Sequence, residues 1–317
     1  MTALLVFAIG FVTLLAGGHA FVCAAIQLAA RWRISGLVVG LTIVSIGTSL
    51  PEVLVGVVAN RSGHEDVAVG NILGSNIANV LLVIGVAAAL RPLQIQQANI
   101  MRDGWISIFI PGLVGMLALL SIENTTQGLL TRTDGRILIL VGFLYLLYVA
   151  AQEETSDPLQ VPAGKQQTST VNLICLLIGA AGLSLGAQWV VQGTLGISAS
   201  LKLNPLAVAL TATAIGTSLP ELVVSAMAAW RHQGGIAIGN VIGSNVFNLT
   251  WVLGLTTMAG ELAFDMPALV TLVIVVACAI LLVAILQRNK DRSITRLHGM
   301  TMLALYATYA YYAMQSI

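Results

Sequence analysis

The chain has 317 residues, 57% hydrophobic and 9% charged, with a mean hydropathy of +0.93. A soluble domain carries about 25% charged residues to cover its surface, so this composition excludes an ordinary water-soluble globule and calls for lipid as solvent. The net charge of +1 leaves no broad basic face for nucleic acid.

Apolar stretches of about 20 residues, the length that crosses a bilayer as a helix, follow one another along the whole chain. In chain order they predict ten spans, at 2–30, 35–60, 66–90, 103–121, 135–151, 171–197, 204–230, 236–259, 266–287 and 295–315. The first begins without a basic segment ahead of it, so it reads as a membrane helix rather than a cleaved signal. The only long polar break, 152–170, holds Pro158, Pro162 and Gly164 and reads as a linker. The expected fold class is therefore an all-α membrane protein. It has a first five-helix unit at 1–151, a linker at 152–170 and a second five-helix unit at 171–317.

Basic residues set the orientation. The odd-numbered breaks hold ten: Arg31, Arg33, Arg91, Arg102, Lys165, Arg231, Arg288, Lys290, Arg292 and Arg296. The even-numbered breaks hold Arg61, Arg132, Arg136 and Lys202. The odd breaks, with the linker, are expected in the cytoplasm and both termini outside. Trp32, Trp105, Tyr311 and Tyr312 fit anchors at the interfaces.

The two units carry the same motif. Residues 45–80 read SIGTSLPEVLVGVVANRSGHEDVAVGNILGSNIANV, and residues 214–249 read AIGTSLPELVVSAMAAWRHQGGIAIGNVIGSNVFNL. The offset is 169 throughout, and 16 of 36 positions are identical. With five spans per unit the second copy enters the membrane upside down. That gives ten helices as two inverted five-helix repeats, an arrangement that places its site near the midplane where the repeats meet.

Thirteen acidic residues are present. Eleven, Asp103 among them, fall in breaks or at span ends. Only Glu52 and Glu221 lie deep within a span, and they are equivalent positions of the repeat. An ionisable group at that depth is costly and marks function. No lysine or arginine lies deep enough to neutralise either, so protons or a metal cation must. Thr48 and Ser49 precede Glu52 by four and three residues, on one helix face. Asn71, Ser75 and Asn79 share a face of the next span. Thr217, Ser218, Glu221, Asn240, Ser244 and Asn248 repeat the set. Every group presents oxygen and none sulfur or imidazole, which suits hard cations such as Ca2+ and Na+.

Pro51 and Pro220 deprive the carbonyls of Gly47 and Gly216 of their helical partners, so a kink is expected there. Gly70 with Gly74, and Gly239 with Gly243, read as close-packing pairs. Asn76 and Asn245 read as hydrogen bonders between helices, while Asn71 and Asn240 divide evenly between ligand and packing roles. Two carboxylates balance one Ca2+. Without it they repel, and one must take up a proton or a monovalent ion. That is the electrostatic basis of an exchanger. The alternatives are a passive cation channel lined by the same oxygens and an intramembrane hydrolase. The first lacks a carbonyl-filter motif; the second lacks unlike catalytic partners. The three cysteines and four histidines have no ligand spacing and read as non-catalytic, so no enzyme and no cofactor are expected.

GTSLPE with GNILGSNIAN, repeated as GTSLPE with GNVIGSNVFN, resembles the two alpha-repeats of the calcium/cation antiporter superfamily, in particular prokaryotic sodium/calcium exchanger-type members. The resemblance covers nearly the whole chain. It implies four clustered ion sites formed by spans 2, 3, 7 and 8. Their ligands would be Thr48, Ser49, Glu52, Ser75 and Asn79 with Thr217, Ser218, Glu221 and Ser244, plus the main-chain carbonyls of Ser45 and Ala214. Spans 1 and 6 would form a sliding pair that switches access. Asn248 stands where archaeal sodium/calcium exchangers have an aspartate, which leaves only two acids. Two acids suit one Ca2+ against protons or against Na+, but dedicated proton/calcium exchangers use a different motif around their acids, without GTSLPE, so the resemblance implies Ca2+ exchanged for Na+, with H+ as the alternative counter-ion. The setting it implies is the bilayer of the inner cell membrane, with the protein a monomer or weak homo-oligomer.

Overall fold

The computed structural model describes residues 2–94, 100–120, 128–151, 167–200, 216–288 and 293–315. Within these, nearly all regular structure is helical. The first unit runs α1 (Thr2–Trp32), α2 (Gly36–Val39), a π-turn (Gly40–Val44), α3 (Ser45–Thr48) and α4 (Leu50–Arg61). It continues through α5 (Glu65–Ala78), a π-turn (Asn79–Val83), α6 (Ile84–Leu90), α7 (Ile100–Leu120) and α8 (Arg132–Ala151). The second runs α9 (Ser169–Ser200), α10 (Leu219–Trp230), α11 (Gly234–Phe247), a π-turn (Asn248–Val252), α12 (Leu253–Ala259), α13 (Met266–Arg288) and α14 (Arg296–Gln315).

Among the described residues, seven helices are long and apolar enough to cross a bilayer. An eighth span arises if Gly36–Thr48 and Leu50–Arg61, bent by 43° at Ser49, are taken together. The sequence-based count of ten differs at two places. In the expected span 204–230, residues 204–215 lie outside the described residues, and what remains is the shorter apolar helix α10. The last expected span is helical as α14, but His298, Thr301, Thr308 and four tyrosines dilute its apolar character. It packs through Gly299, where a side-chain carbon would meet Gly85 O and Ala89 N at 2.7 Å.

Two spans form the enclosed centre. In the apolar 18-residue windows of Glu65–Leu90 and Gly234–Ala259, 78% and 89% of the residues are buried, against 22–44% in the other five spans. Such spans have protein rather than lipid on every side, which is where polar side chains and irregular backbone are tolerated. Outside them, α1 and α9 lie antiparallel in backbone contact over several turns. An added Cβ would meet Leu183 N at 2.7 Å from Gly17, and Leu14 N at 2.5 Å from Gly186. Without a hydrophobic force between helices in lipid, small residues permit this approach and the dispersion contact it brings.

Four short strands tie the breaks together. Leu93–Gln94 (β1) pairs antiparallel with Ser293–Ile294 (β4), and Gly128–Leu130 (β2) with Leu262–Phe264 (β3). The helix α7, 21 residues and therefore about 31 Å long, lies between β1 and β2 in the chain.

Candidate ion site

Both copies of GTSLPE break their helix at the same place. Ser49 has φ −89°, ψ 7°, and Ser218 has φ −87°, ψ 3°. Proline cannot continue a preceding helix but fits the first turn of a new one, and Pro51 and Pro220 occupy that turn of α4 and α10. Glu52 and Glu221 follow, also in the first turn, where the positive end of the helix dipole favours a carboxylate. Both side chains are 0% exposed. The expected kink is therefore present, and it delivers the acids.

The facing walls are α5 and α11. Gly239 and Gly243 bring α11 against the segment 36–45: a Cβ on Gly243 would lie 2.6 Å from Leu41 O and 2.7 Å from Ser45 Oγ. This is the close-packing role expected of that pair. Gly70 and Gly74 meet no described atom within 4 Å. The repeat equivalent of segment 36–45, at 205–214, lies outside the described residues.

The polar contacts between the halves are reciprocal. Thr48 Oγ1 donates to Asn240 Oδ1 at 3.2 Å and lies 3.5 Å from Ser244 Oγ. Thr217 Oγ1 donates to Asn71 Oδ1 at 3.2 Å and lies 3.4 Å from Ser75 Oγ. Each residue of the first set is 169 positions from its counterpart in the second. Self-complementary contacts of this kind are what a two-fold relation between two like units produces. Asn240 is held oxygen-inward because its Nδ2 donates to Ser225 Oγ at 2.9 Å. Gly56 stands at the equivalent of Ser225, so Asn71 Nδ2 has no such partner.

Many buried oxygens find no donor. Both carboxylate oxygens of Glu52, Oε2 of Glu221, Oδ1 of Asn79, Oδ1 of Asn248 and Oγ of Ser218 have no hydrogen-bond partner. Glu221 Oε1 accepts from Ser49 Oγ at 3.1 Å. The two carboxylates act on each other electrostatically, and no described arginine, lysine or histidine acts on either. Buried polar groups are otherwise almost always satisfied. The unpartnered amide nitrogens there, Asn71 Nδ2 and Asn248 Nδ2, are fewer than the unpartnered oxygens, and such an excess of acceptors fits a cation bound by oxygen. No group of three or more His, Cys, Asp or Glu that could hold a metal ion occurs among the described residues.

The structure thus gathers Thr48, Ser49, Glu52, Ser75, Thr217, Ser218, Glu221 and Ser244 at the junction of the halves. Asn79 and Asn248 are buried at the start of their π-turns. Ser45 sits one turn before Thr48. Its hydroxyl bonds back to Leu41 O at 2.8 Å, and its carbonyl accepts from Ser49 N at 3.1 Å. Ala214 lies outside the described residues. Three features escaped the sequence reading: the Ser225 anchor of Asn240, the π-turns, and the burial of Asp103. That aspartate, expected at a span end, is 4% exposed in the first turn of α7. It acts on Tyr145 and Tyr148, and Arg102 stacks 5.1 Å above the Tyr148 ring.

The family model described as "Sodium/calcium exchanger protein" matches residues 2–152 and again 171–315. The chain belongs to this family. It is a multi-pass membrane protein, as its apolar helices require. Among relatives of this exchanger family, it is 35% identical over 312 residues to the putative antiporter CaxA of Alkalimonas amylolytica, covering 96% of each chain. It is 27% identical to the sodium/calcium exchanger MaX1 of Methanosarcina acetivorans, again covering 96% of each. The solved sodium/calcium exchanger from Methanococcus jannaschii superposes with a TM-score of 0.83 at 28% identity, over 98% of this chain and 97% of that one.

Proposed function

We propose that the protein is a secondary-active Na+/Ca2+ antiporter that works by alternating access. Ca2+ and Na+ would be held in turn by Thr48, Ser49, Glu52, Ser75, Asn79, Thr217, Ser218, Glu221, Ser244 and Asn248, with the carbonyls of Ser45 and Ala214. One observation carries the reading. Two buried carboxylates face a surplus of orphaned oxygens and have no basic partner among the described residues. Two carboxylates neutralise one Ca2+ and repel when it leaves, so the return step draws in another cation. The relatives named as antiporter and exchanger support the same reading.

Alternating access here rests on ten spans arranged as two inverted repeats, with both termini outside and the protein in the inner cell membrane. The strand pairings support inversion. Shifting β1 by 169 residues gives β3, whose partner is β2 rather than β4. The two-fold relation therefore exchanges the β1–β4 pair with the β2–β3 pair. Since α7 separates β1 from β2 by about the thickness of a bilayer, that exchange turns one membrane face into the other. The long pair α1 and α9 is the element proposed to slide.

A second counter-ion, H+, is favoured by one feature. Asn79 and Asn248 are both neutral, so the cage holds only two acids, a charge that two protons replace as readily as two Na+. The test is 45Ca2+ flux into proteoliposomes under separately imposed Na+ and H+ gradients. Uptake driven by Na+ is the expected result. Uptake by H+ alone would reassign the counter-ion, movement under neither would end the antiport reading, and single-channel currents would replace it with a pore.

A further inference from the structure

The Thr48 and Thr217 contacts of the site come as a two-fold pair, but the asparagine contacts across the repeat boundary, like the Ser49–Glu221 bond, do not. Asn245 reaches across the repeat boundary: its Nδ2 donates to Asn76 O at 3.2 Å, and its Oδ1 accepts from Asn79 Nδ2 at 3.0 Å. Asn76, its equivalent, does neither. Its Nδ2 turns back along its own helix to Ile72 O at 2.7 Å, and its Oδ1 has no partner. Asn248, the equivalent of Asn79, has neither amide atom bonded.

These orphans are the atoms a mirrored arrangement would use. Exchanging the roles of the two halves makes Asn248 Nδ2 donate to Asn76 Oδ1 and Asn76 Nδ2 donate to Asn245 O. Asn245 then folds back onto Val241 O, which is equivalent to Ile72 O. No group needs a new partner type, and all four asparagines are buried. Each setting ties down one of Asn79 and Asn248 by its amide nitrogen and leaves that residue's Oδ1 directed to a ligand. In the present setting the residue held is Asn79, and its Oδ1 is unbonded.

The geometry points to Asn76 and Asn245 as a pair of positioning residues that form a two-setting amide switch. The setting described holds Asn79 for the ion, and its mirror image holds Asn248. Under the alternating-access reading on which this rests, inverted repeats exchange conformations between the two access states, so the two settings face opposite sides of the membrane. The switch is the kind of discrete, nearly balanced element that two-state transitions need.

Substitution separates the settings. Asn76→Ala deletes both cross-boundary bonds of the mirrored setting but spares those of the present one, which use only the backbone carbonyl of residue 76. Asn245→Ala does the reverse. The apparent affinity at each face scales with the fraction of protein open to it. In oriented proteoliposomes, the ratio of half-saturating Ca2+ at the two faces should therefore move in opposite directions in the two variants. Loss of one to two such bonds corresponds to a change of about three- to tenfold. The double variant should return to a ratio near that of the unsubstituted protein. A purely structural role would lower thermal stability in both and leave the ratio alone. Shifts in the same direction, or none, in variants that still exchange overturn the switch. Should either alanine variant fail to reconstitute, Asn76→Ser and Asn245→Ser are read by the same ratio. Absence of gradient-driven flux in the unsubstituted protein overturns the antiport reading and the switch with it.

Discussion

Ser49 donates its hydroxyl to Oε1 of Glu221 at 3.1 Å, a bond that reaches from one GTSLPE motif to the acid of the other. Its counterpart is missing: Ser218 Oγ and both oxygens of Glu52 are unpartnered. The two acids, alike in sequence, therefore differ in environment. A hydrogen bond to a buried charged group is worth about 1.5–3 kcal/mol. Ser49→Ala should lower the thermal stability of the protein in chelator by that order, while Ser218→Ala, which breaks no bond, should leave it nearly unchanged. Differential scanning fluorimetry of the two variants in detergent measures the difference.

The acids themselves should show activity and stability moving in opposite directions. Glu52→Gln and Glu221→Gln each remove half the charge that neutralises Ca2+. Breaking a buried ion interaction by removing one partner costs about 3–5 kcal/mol, on the order of a hundredfold or more in affinity. Gradient-driven 45Ca2+ uptake should fall to background in either variant. The ion-free protein should melt at a higher temperature, because the glutamine relieves repulsion between two desolvated charges. Retained uptake in either variant removes that residue from the ligand set.

Protons should oppose Ca2+ at this site whether or not they are the transported counter-ion. Ca2+ requires both carboxylates ionised, so protons compete with it for the same oxygens. Ligand binding that demands deprotonation releases protons, so affinity rises with pH and is lost as pH falls. Ca2+-induced thermal stabilisation followed over a pH series should weaken steadily toward acid pH. In unbuffered solution Ca2+ addition should acidify the medium, and a flat profile would place the binding elsewhere.

The motifs are legible because they occur twice. A single GTSLPE is a helix with an odd proline; two at a fixed offset mark Glu52 and Glu221 as partners in the amino-acid sequence itself. The local break is legible as well, since Pro51 and Pro220 forbid a continuous helix. What a linear reading lacks is which hydroxyl meets which amide across the boundary. Thr48 finds Asn240 at a separation of 192 residues, and nothing local specifies that pairing. The π-turns at Asn79–Val83 and Asn248–Val252 are equally hidden, because a one-residue excess in a helix leaves no compositional trace. Periodicity places Asp103 correctly at the start of α7 but does not reveal its burial, which depends on elements distant in the chain. Apolar length is a weaker sign in the last expected span, where α14 carries four tyrosines and a histidine.

Close backbone approach at the site is itself testable. In α11, Gly243 lies where a Cβ would sit 2.6 Å from Leu41 O and 2.7 Å from both Leu41 Cα and Ser45 Oγ. Two of those atoms are backbone and cannot rotate away. Gly243→Ala must therefore push α11 from the segment carrying Ser45 and Thr48, at a cost of about 1–3 kcal/mol for overpacking. It would also widen the 3.2 and 3.5 Å contacts from Thr48 to Asn240 and Ser244. Ca2+ affinity should drop along with stability. Gly112, on the exposed side of α7, meets nothing within 4 Å, so Gly112→Ala should gain up to about 1 kcal/mol in helix propensity and exchange normally. Equal behaviour of the two variants in flux and melting experiments would mean that the contact at Gly243 is not what holds the two walls of the site together.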